Sequence, residues 1–149
     1  MKISLIIYFY FFFQCLSISP QPSEIDDGHC IWYGQCNKNA LNQYQNCFYD
    51  GVAQPLKNLT GQALLRKWCP HMINGKVPET CCDTAQLKAM DYNINLAANF
   101  LQRCPSCMSN LIKHFCEMTC ATNQSKFIGV VDVKNNGSID SKLLSNAFL

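Results

Sequence analysis

Cys104-Pro105-Ser106-Cys107-Met108-Ser109-Asn110-Leu111-Ile112-Lys113-His114-Phe115-Cys116-Glu117-Met118-Thr119-Cys120 reads as a helix that is cross-linked to something else. Pro105 suits the first turn, where its missing N–H costs nothing. Met108, Leu111, Ile112, Phe115 and Met118 then fall on a core-facing side. Cys116 and Cys120 stand one turn apart on one face, a placement in which two cysteines rarely bond each other. They are expected to pin the helix at two other points. The adjacent Cys81 and Cys82 likewise face two different partners. A double pin joining Cys81-Cys82 to the Cys116 region is mechanically sensible; accidental spacing is the competing reading.

The neighbouring segments extend this picture. Asp83 followed by Gln86 has the pattern of a capping box, in which a carboxylate accepts the N3 amide and Gln reaches back. Leu87, Met90 and Ile94 continue one helical stripe; Leu96, Ala97, Phe100 and Leu101 form another, ending before Pro105. Thr60 is expected to cap a short amphipathic helix carrying Ala63, Leu64, Leu65 and Trp68, with Pro70 just beyond its end. Gly51 to Asn58 reads as turn and linker, and Gly75 to Thr80 as a loop. Cys30 to Cys47 sustains no hydrophobic period and reads as a looped segment held by a local bridge. Phe127 to Val133 has β-branched residues and a period-two hint of a strand. Asn135-Asn136-Gly137 is a turn signal, and Ser141 to Leu149 is weakly amphipathic.

The N-terminus sets the compartment. Lys2 shortly precedes an unbroken apolar run, Leu5 to Phe13, followed by Gln14, Ser17, Ser19 and Pro20. That is the order of a secretory signal peptide, and the run is shorter than the ~20 residues that span a bilayer. Residues 1–22 are assigned to the signal, with cleavage between Ser17 and Ser23, and Ser19 to His29 to a leader of little order. Of the 11 cysteines, Cys15 leaves with the signal. The even remainder implies a disulfide framework closed in an oxidising lumen. Connectivity stays open at this level, since ten cysteines allow roughly 945 pairings. No other segment is apolar enough to span, so the processed chain is expected to be soluble. Three sequons, at Asn58, Asn123 and Asn136, fit N-glycosylation of surface loops. With 12 basic and 10 acidic residues, and no basic block interleaved with aromatics, nothing points to nucleic acid.

Catalytic signals are weak. Cys104-Pro105-Ser106-Cys107 has the spacing of a redox pair at a helix start, but that reading needs a strand before the motif, and a helical stripe stands there. His29, His71 and His114 lack the spacing of zinc ligands. No nucleophile triad, metalloprotease motif or phosphate-binding loop is present. The expectation is a non-enzyme without cofactor or metal.

Several stretches taken together are similar to one family: Cys30-Ile31-Trp32-Tyr33-Gly34-Gln35-Cys36, Tyr44-Gln45-Asn46-Cys47, Leu65-Arg66-Lys67-Trp68-Cys69-Pro70, Cys81-Cys82-Asp83, Phe100 to Cys107, and Phe115 to Cys120 on to Phe127. This resembles the N-terminal lumenal domain of the Niemann-Pick C1 cholesterol transporter family, including its intestinal paralogue, with all ten remaining cysteines in register. The resemblance implies an α+β, disulfide-rich fold, mostly helical with a small sheet, of the riboflavin-binding and folate-receptor type. It makes residues 23–149 the N-terminal part of such a domain, incomplete at its C-terminus. It implies bridges Cys30–Cys81, Cys36–Cys47, Cys69–Cys116 and Cys82–Cys120. It leaves Cys104 and Cys107 unpaired within this chain, because their family partners lie further along; the two bonding each other is the alternative.

The resemblance also implies a site for cholesterol or an oxysterol, with Asn46 and Gln86 on the 3β-hydroxyl. Trp32, Met90 and Phe115 would form pocket wall, and Gln35 stands where family members carry an acid. An amide both donates and accepts, as a hydroxyl requires. One hydrogen bond adds only about 1 kcal/mol, so apolar burial at ~25 cal/mol/Å² would supply most of the affinity. Each residue has a plainer reading: Gln86 completes the capping box, Asn46 is a turn residue, Trp32 is core. The implied setting is the secretory pathway, in the lumen of the late endosome or lysosome or at the extracellular face. The implied partner is a soluble lumenal sterol carrier of the Niemann-Pick C2 type, and membrane contact comes only through parts of a full protein not in this chain. The competing functions are a secreted non-sterol ligand carrier or protein-interaction module and, remotely, a thiol oxidoreductase using Cys104-Cys107.

Overall fold

The computed structural model describes residues 28–143. Chain order runs β1 (Cys30–Lys38), β2 (Tyr44–Gly51), β3 (Gln54–Pro55), α1 (Leu59–Trp68), a 3-10 turn (Pro70–Met72) and β4 (Glu79–Thr80). It continues with α2 (Thr84–Leu101), α3 (Pro105–Cys120), a second 3-10 turn (Gln124–Lys126), β5 (Ile128–Val133) and β6 (Ile139–Leu143). The strands form two-stranded antiparallel pairs, β1–β2, β3–β4 and β5–β6. A single bridge between Cys47 and Ser138 joins the first pair to the last. The expected signal peptide (residues 1–22), the expected leader up to residue 27 and residues 144–149 lie outside the described residues.

Helix ends follow local chemistry. Asp83 Oδ1 accepts the Gln86 N–H at 2.9 Å while Gln86 Oε1 accepts the Asp83 N–H at 3.0 Å, completing the expected capping box of α2. Pro105 opens α3. For α1 the cap is Asn58, not Thr60. Asn58 Oδ1 accepts the N–H groups of Thr60 and Gly61, and its extended backbone allows the reach that a Ser, Thr, Asp or Asn cap requires.

Two expectations about apolar faces change. The stripes of α2 belong to one continuous helix, and only Leu87, Met90 and Ile94 are buried apolar positions on it. Leu96 lies nine residues beyond Leu87, which at 3.6 residues per turn is about half a turn round the axis. Leu96 and Phe100 therefore face outward, 48% and 80% exposed. On α3, Met108, Leu111, Ile112, Phe115 and Met118 are half-buried, and the fully buried positions are Cys116 and Cys120.

Disulfides replace part of the packing a larger core would supply. Cys69–Cys116 ties the end of α1 to α3, Cys82–Cys120 ties the start of α2 to the end of α3, and Cys30–Cys81 ties β1 to the residue before Cys82. Cys36–Cys47 staples β1 to β2. These are the four pairs the resemblance implies. The double pin takes a different form: Cys82 alone reaches α3, and Cys81 goes to the hairpin. Cys104 and Cys107, expected to be unpaired, bond each other with Cα atoms 5.2 Å apart. The first turn of α3 brings the two within ordinary disulfide range, so no residue outside the turn is required.

One cluster, around Leu56, Leu65, Leu87, Met90 and Ile94 with two cystines, fills the space among the helices. A second, of Ile31, Trp32, Ala121, Phe127, Ile128 and Ile139, packs β1 against the start of β5. Gln124 links β1 to α3 from within. Its Oε1 accepts the N–H groups of Ile31 and Trp32, and its Nε2 donates to the carbonyls of Met118 and Thr119.

The segment Cys30 to Cys47, expected to be looped, is instead a hairpin held by its local bridge. Gly51 to Asn58 and Gly75 to Thr80 each contribute one strand of the short β3–β4 pair. Beyond the Asn135-Asn136-Gly137 turn the chain pairs as β6 up to Leu143.

Candidate functional site

The hairpin β1–β2, the first turns of α2 and the C-terminal half of α3 enclose a cleft of about 230 Å³. Gln86 stands at its polar end and is 3% exposed. Its Oε1 is shared by two backbone donors, Asp83 N–H at 3.0 Å and Gly34 N–H at 2.8 Å. Its Nε2 donates to Asn46 Oδ1 at 3.0 Å. The capping and site readings of Gln86 are therefore compatible: the oxygen caps and the nitrogen faces Asn46.

The hairpin is shaped for this contact. Gly34 has φ +77°, a left-handed conformation that costs glycine nothing, at an irregularity in the β1–β2 register between Trp32 and Gln35. That local turn of the backbone accompanies the aim of the Gly34 N–H at Gln86. The next paired residues are Gln35 and Asn46, so both amides sit at the same level of the hairpin. Asn46 is thus a strand residue rather than a turn residue. Trp32 is 4% exposed, and its buried Nε1 has no acceptor among the described residues.

All six residues singled out from the sequence, Trp32, Gln35, Asn46, Gln86, Met90 and Phe115, line this one cleft. Sequence reasoning missed Tyr44, Ala89, Asn93, Met118 and Thr119 as lining residues. Thr119 lies one helical turn after Phe115, a spacing that could have found it. Tyr44 is reached only through the hairpin, which the sequence pattern did not reveal. The lining carries no Asp, Glu, Lys, Arg or His.

A wider groove of about 530 Å³ runs between the end of α1 and α3, past Trp68, His71, Lys113 and Glu117. Its rim is charged, with His71 Nε2 3.2 Å from Glu117 Oε1, and no set of amides converges on it. We take the smaller cleft as the candidate site on that ground. Among the described residues no cluster of His, Cys, Asp or Glu could hold a metal ion. Cys104-Cys107 follows a helix, α2, rather than the strand a thioredoxin-type pair requires.

Among the described residues, two titrating groups are displaced from their ordinary range. Burial, aided by Asp83 and Tyr49, pushes the Tyr33 phenol up. Hydrogen bonds from Lys67 and Trp68 hold the Asp91 carboxyl down, where it ties α1 to α2. Of the sequon residues, Asn58 and Asn136 are exposed and Asn123 is half-buried.

Fold and site together define a class: a disulfide-stapled α+β domain whose uncharged cleft ends in a locked pair of amides. The family model described as Niemann-Pick C1 N terminus matches residues 27–146, and the chain belongs to that family. It is 39% identical over 109 residues to NPC intracellular cholesterol transporter 1 of Sus scrofa, covering 73% of this chain and 8% of that protein. It is 32% identical over 117 residues to NPC1-like intracellular cholesterol transporter 1 of Homo sapiens, covering 74% and 9%. It is 33% identical over 112 residues to NPC intracellular cholesterol transporter 1 homolog 1 of Caenorhabditis elegans, covering 72% and 8%. The chain thus spans under a tenth of the length of these relatives. No helix among the described residues is long and apolar enough to cross a membrane.

Proposed function

We propose that this chain binds a sterol in the Gln86–Asn46 cleft as a step in sterol transport, with no covalent chemistry. The observation that carries the reading is the convergence of two amides at the end of an uncharged cleft walled by Trp32, Met90 and Phe115. A sterol has the matching distribution: one hydroxyl on a rigid apolar body. The names of the relatives, cholesterol transporters, supply the ligand class. Each 100 Å² of sterol surface removed from water contributes about 2.5 kcal/mol, so the walls bind and the amides orient. The cleft is smaller than the ~300 Å³ at which pockets begin to enclose drug-sized ligands, and it suits the hydroxyl-bearing end of the molecule.

The same reading places residues 1–22 as a signal peptide and the mature domain in a late endosomal or lysosomal lumen or at the extracellular face. There a soluble carrier of the Niemann-Pick C2 type would hand over the ligand. Asn58 can carry a glycan on Nδ2 while its Oδ1 caps α1; Asn136 is the second exposed acceptor.

The test is saturable binding of tritiated cholesterol to the purified secreted protein. Saturable uptake that weakens tenfold or more in Asn46→Ala supports the proposal. Absence of saturable uptake, or uptake indifferent to Asn46→Ala, removes the cleft as a sterol site.

A further inference from the structure

The hydrogen-bond pattern at the polar end of the cleft is lopsided, and the backbone makes it so. Gln86 Oε1 spends both lone pairs on the N–H groups of Gly34 and Asp83. The amide cannot flip, because a flip would set its NH₂ against two fixed donors. Its Nε2 therefore faces Asn46, giving one hydrogen to Asn46 Oδ1 and keeping the other. Asn46 is oriented in turn, so both hydrogens of its Nδ2 are without a partner among the described residues. Three N–H groups thus stand against the one lone pair left on Asn46 Oδ1. Trp32, which also lines the cleft, has a buried Nε1 with no acceptor among the described residues. The Gln35 amide, level with Asn46, makes no hydrogen bond among the described residues and can rotate to present either end.

We propose that this end recognises its ligand's oxygen as an acceptor, so that the cleft takes 3-keto steroids alongside 3-hydroxy sterols. The inference rests on the sterol reading above and narrows it. A ketone offers two lone pairs to the surplus donors and leaves none of them newly unpaired. A hydroxyl does the same and adds one donated bond, to Asn46 Oδ1 or Gln35 Oε1. That extra bond is a net effect, giving the alcohol an advantage of about fivefold. Rejection by several orders of magnitude arises where a missing ligand group strands a buried polar group of the protein. A ketone strands no donor here, and Gln35 can turn its NH₂ toward the carbonyl. A carboxylate at that position could only accept, and would repel the carbonyl lone pairs.

The test uses three ligands on one saturated skeleton, 5α-cholestan-3β-ol, 5α-cholestan-3-one and 5α-cholestane, each displacing tritiated cholesterol from the secreted protein. The ketone is expected within about tenfold of the alcohol, and the hydrocarbon far weaker than both, because it leaves every donor unpaired. Gln35→Glu at neutral pH is expected to weaken the ketone more than the alcohol and so to widen the alcohol-to-ketone ratio to more than about fiftyfold. A wild-type ratio already above fifty, an unchanged ratio in Gln35→Glu, or a hydrocarbon that competes like the alcohol overturns the inference. Binding of the alcohol with exclusion of the ketone sinks this inference alone; failure of cholesterol to bind at all sinks the function proposed above as well. Five intact disulfides by mass and an unchanged circular-dichroism spectrum check the fold of the variant.

Discussion

Replacing Gln86 by alanine tests whether one side chain holds both the start of α2 and the polar end of the cleft. The wild-type amide makes three bonds, to Gly34 N–H at 2.8 Å, Asp83 N–H at 3.0 Å and Asn46 Oδ1 at 3.0 Å. Gly34 is buried, so its N–H has no ready substitute and should cost about 1–3 kcal/mol when stranded. Loss of the reach-back at the cap and of the Asn46 bond adds about 1 kcal/mol each. Gln86→Ala should thus cost about 3–5 kcal/mol, read as a lowered urea midpoint at unchanged slope with all disulfides intact. Gln86→Glu separates the parts. The introduced carboxyl can still accept both backbone N–H groups, and when protonated its O–H can replace the donation to Asn46. Burial and the neighbouring Asp83 are expected to outweigh the two backbone N–H donors and to raise the pKa of this introduced carboxyl in the folded state. Its cost therefore grows as pH rises above the unfolded value of about 4.3, reaches its plateau above the folded pKa, and is smallest in acid. At pH 5 the Gln86→Glu variant should be well above Gln86→Ala in stability, and the two should converge toward pH 8. An alanine variant costing under 1 kcal/mol, or a glutamate variant with no pH dependence, would refute the shared role.

Gly34→Ala places a left-handed φ of +77° on a residue with a Cβ. The nearest heavy atom to that Cβ is Asp83 Oδ2 at 3.5 Å, an ordinary contact, so the expected loss of about 1–2 kcal/mol is backbone strain, measured by urea unfolding. Asp91→Asn should lower stability by under 1 kcal/mol at pH 7, since Lys67 is half exposed and the amide oxygen still accepts from Trp68. The native carboxyl is held below its ordinary value of 3.8. Its contribution should be complete at neutral pH and be lost only as pH falls below 3.8 through the lowered folded value, so the two unfolding curves should approach each other in strong acid. Replacing Cys104 and Cys107 together by serine should cost about 2 kcal/mol less than replacing Cys82 and Cys120. The sequence separations are 3 and 38, and loop-closure entropy scales with the logarithm of loop size.

What the sequence revealed and concealed divides along local and non-local lines. The α2 capping box and the proline-led start of α3 are local signals, the first spanning Asp83 to Gln86 and the second a single residue, and the structure has both. The hairpin β1–β2 lacks such a signal. Its first five residues, Cys30 to Gly34, are buried except for the half-buried Tyr33, because β1 packs on Gln124 and Phe127 as well as on β2. A strand covered on both faces shows no alternation. The Leu96–Phe100 stripe misled for the opposite reason. It has helical spacing, but spacing does not say which side of a helix the core occupies.

Nothing in the spacing of Asn46 and Gln86 brings them together. They are 40 residues apart, one on a strand and one on a helix. What does so is the step Cys81-Cys82-Asp83. Cys81 is bonded to Cys30 at the start of β1, and Cys82 to Cys120 at the end of α3. The next residue, Asp83, caps α2, so the first turn of that helix is clamped between the hairpin and α3. Four residues along β1 from Cys30 lies Gly34, and three residues into the helix from Asp83 lies Gln86; the 2.8 Å bond between them closes the frame. Opposite Gln35 on the paired strand stands Asn46. One full turn back from Cys120, Cys116 is bonded to Cys69, which fixes the rotation of α3 and with it the side that carries Phe115 and Thr119 to the cleft. The cysteines read first as a sign of an oxidising compartment are thus also the parts that set the site's geometry. Cys36–Cys47 staples the two strands directly beside Gln35 and Asn46; the remaining bridge, Cys104–Cys107, is the one whose pairing the family register did not anticipate.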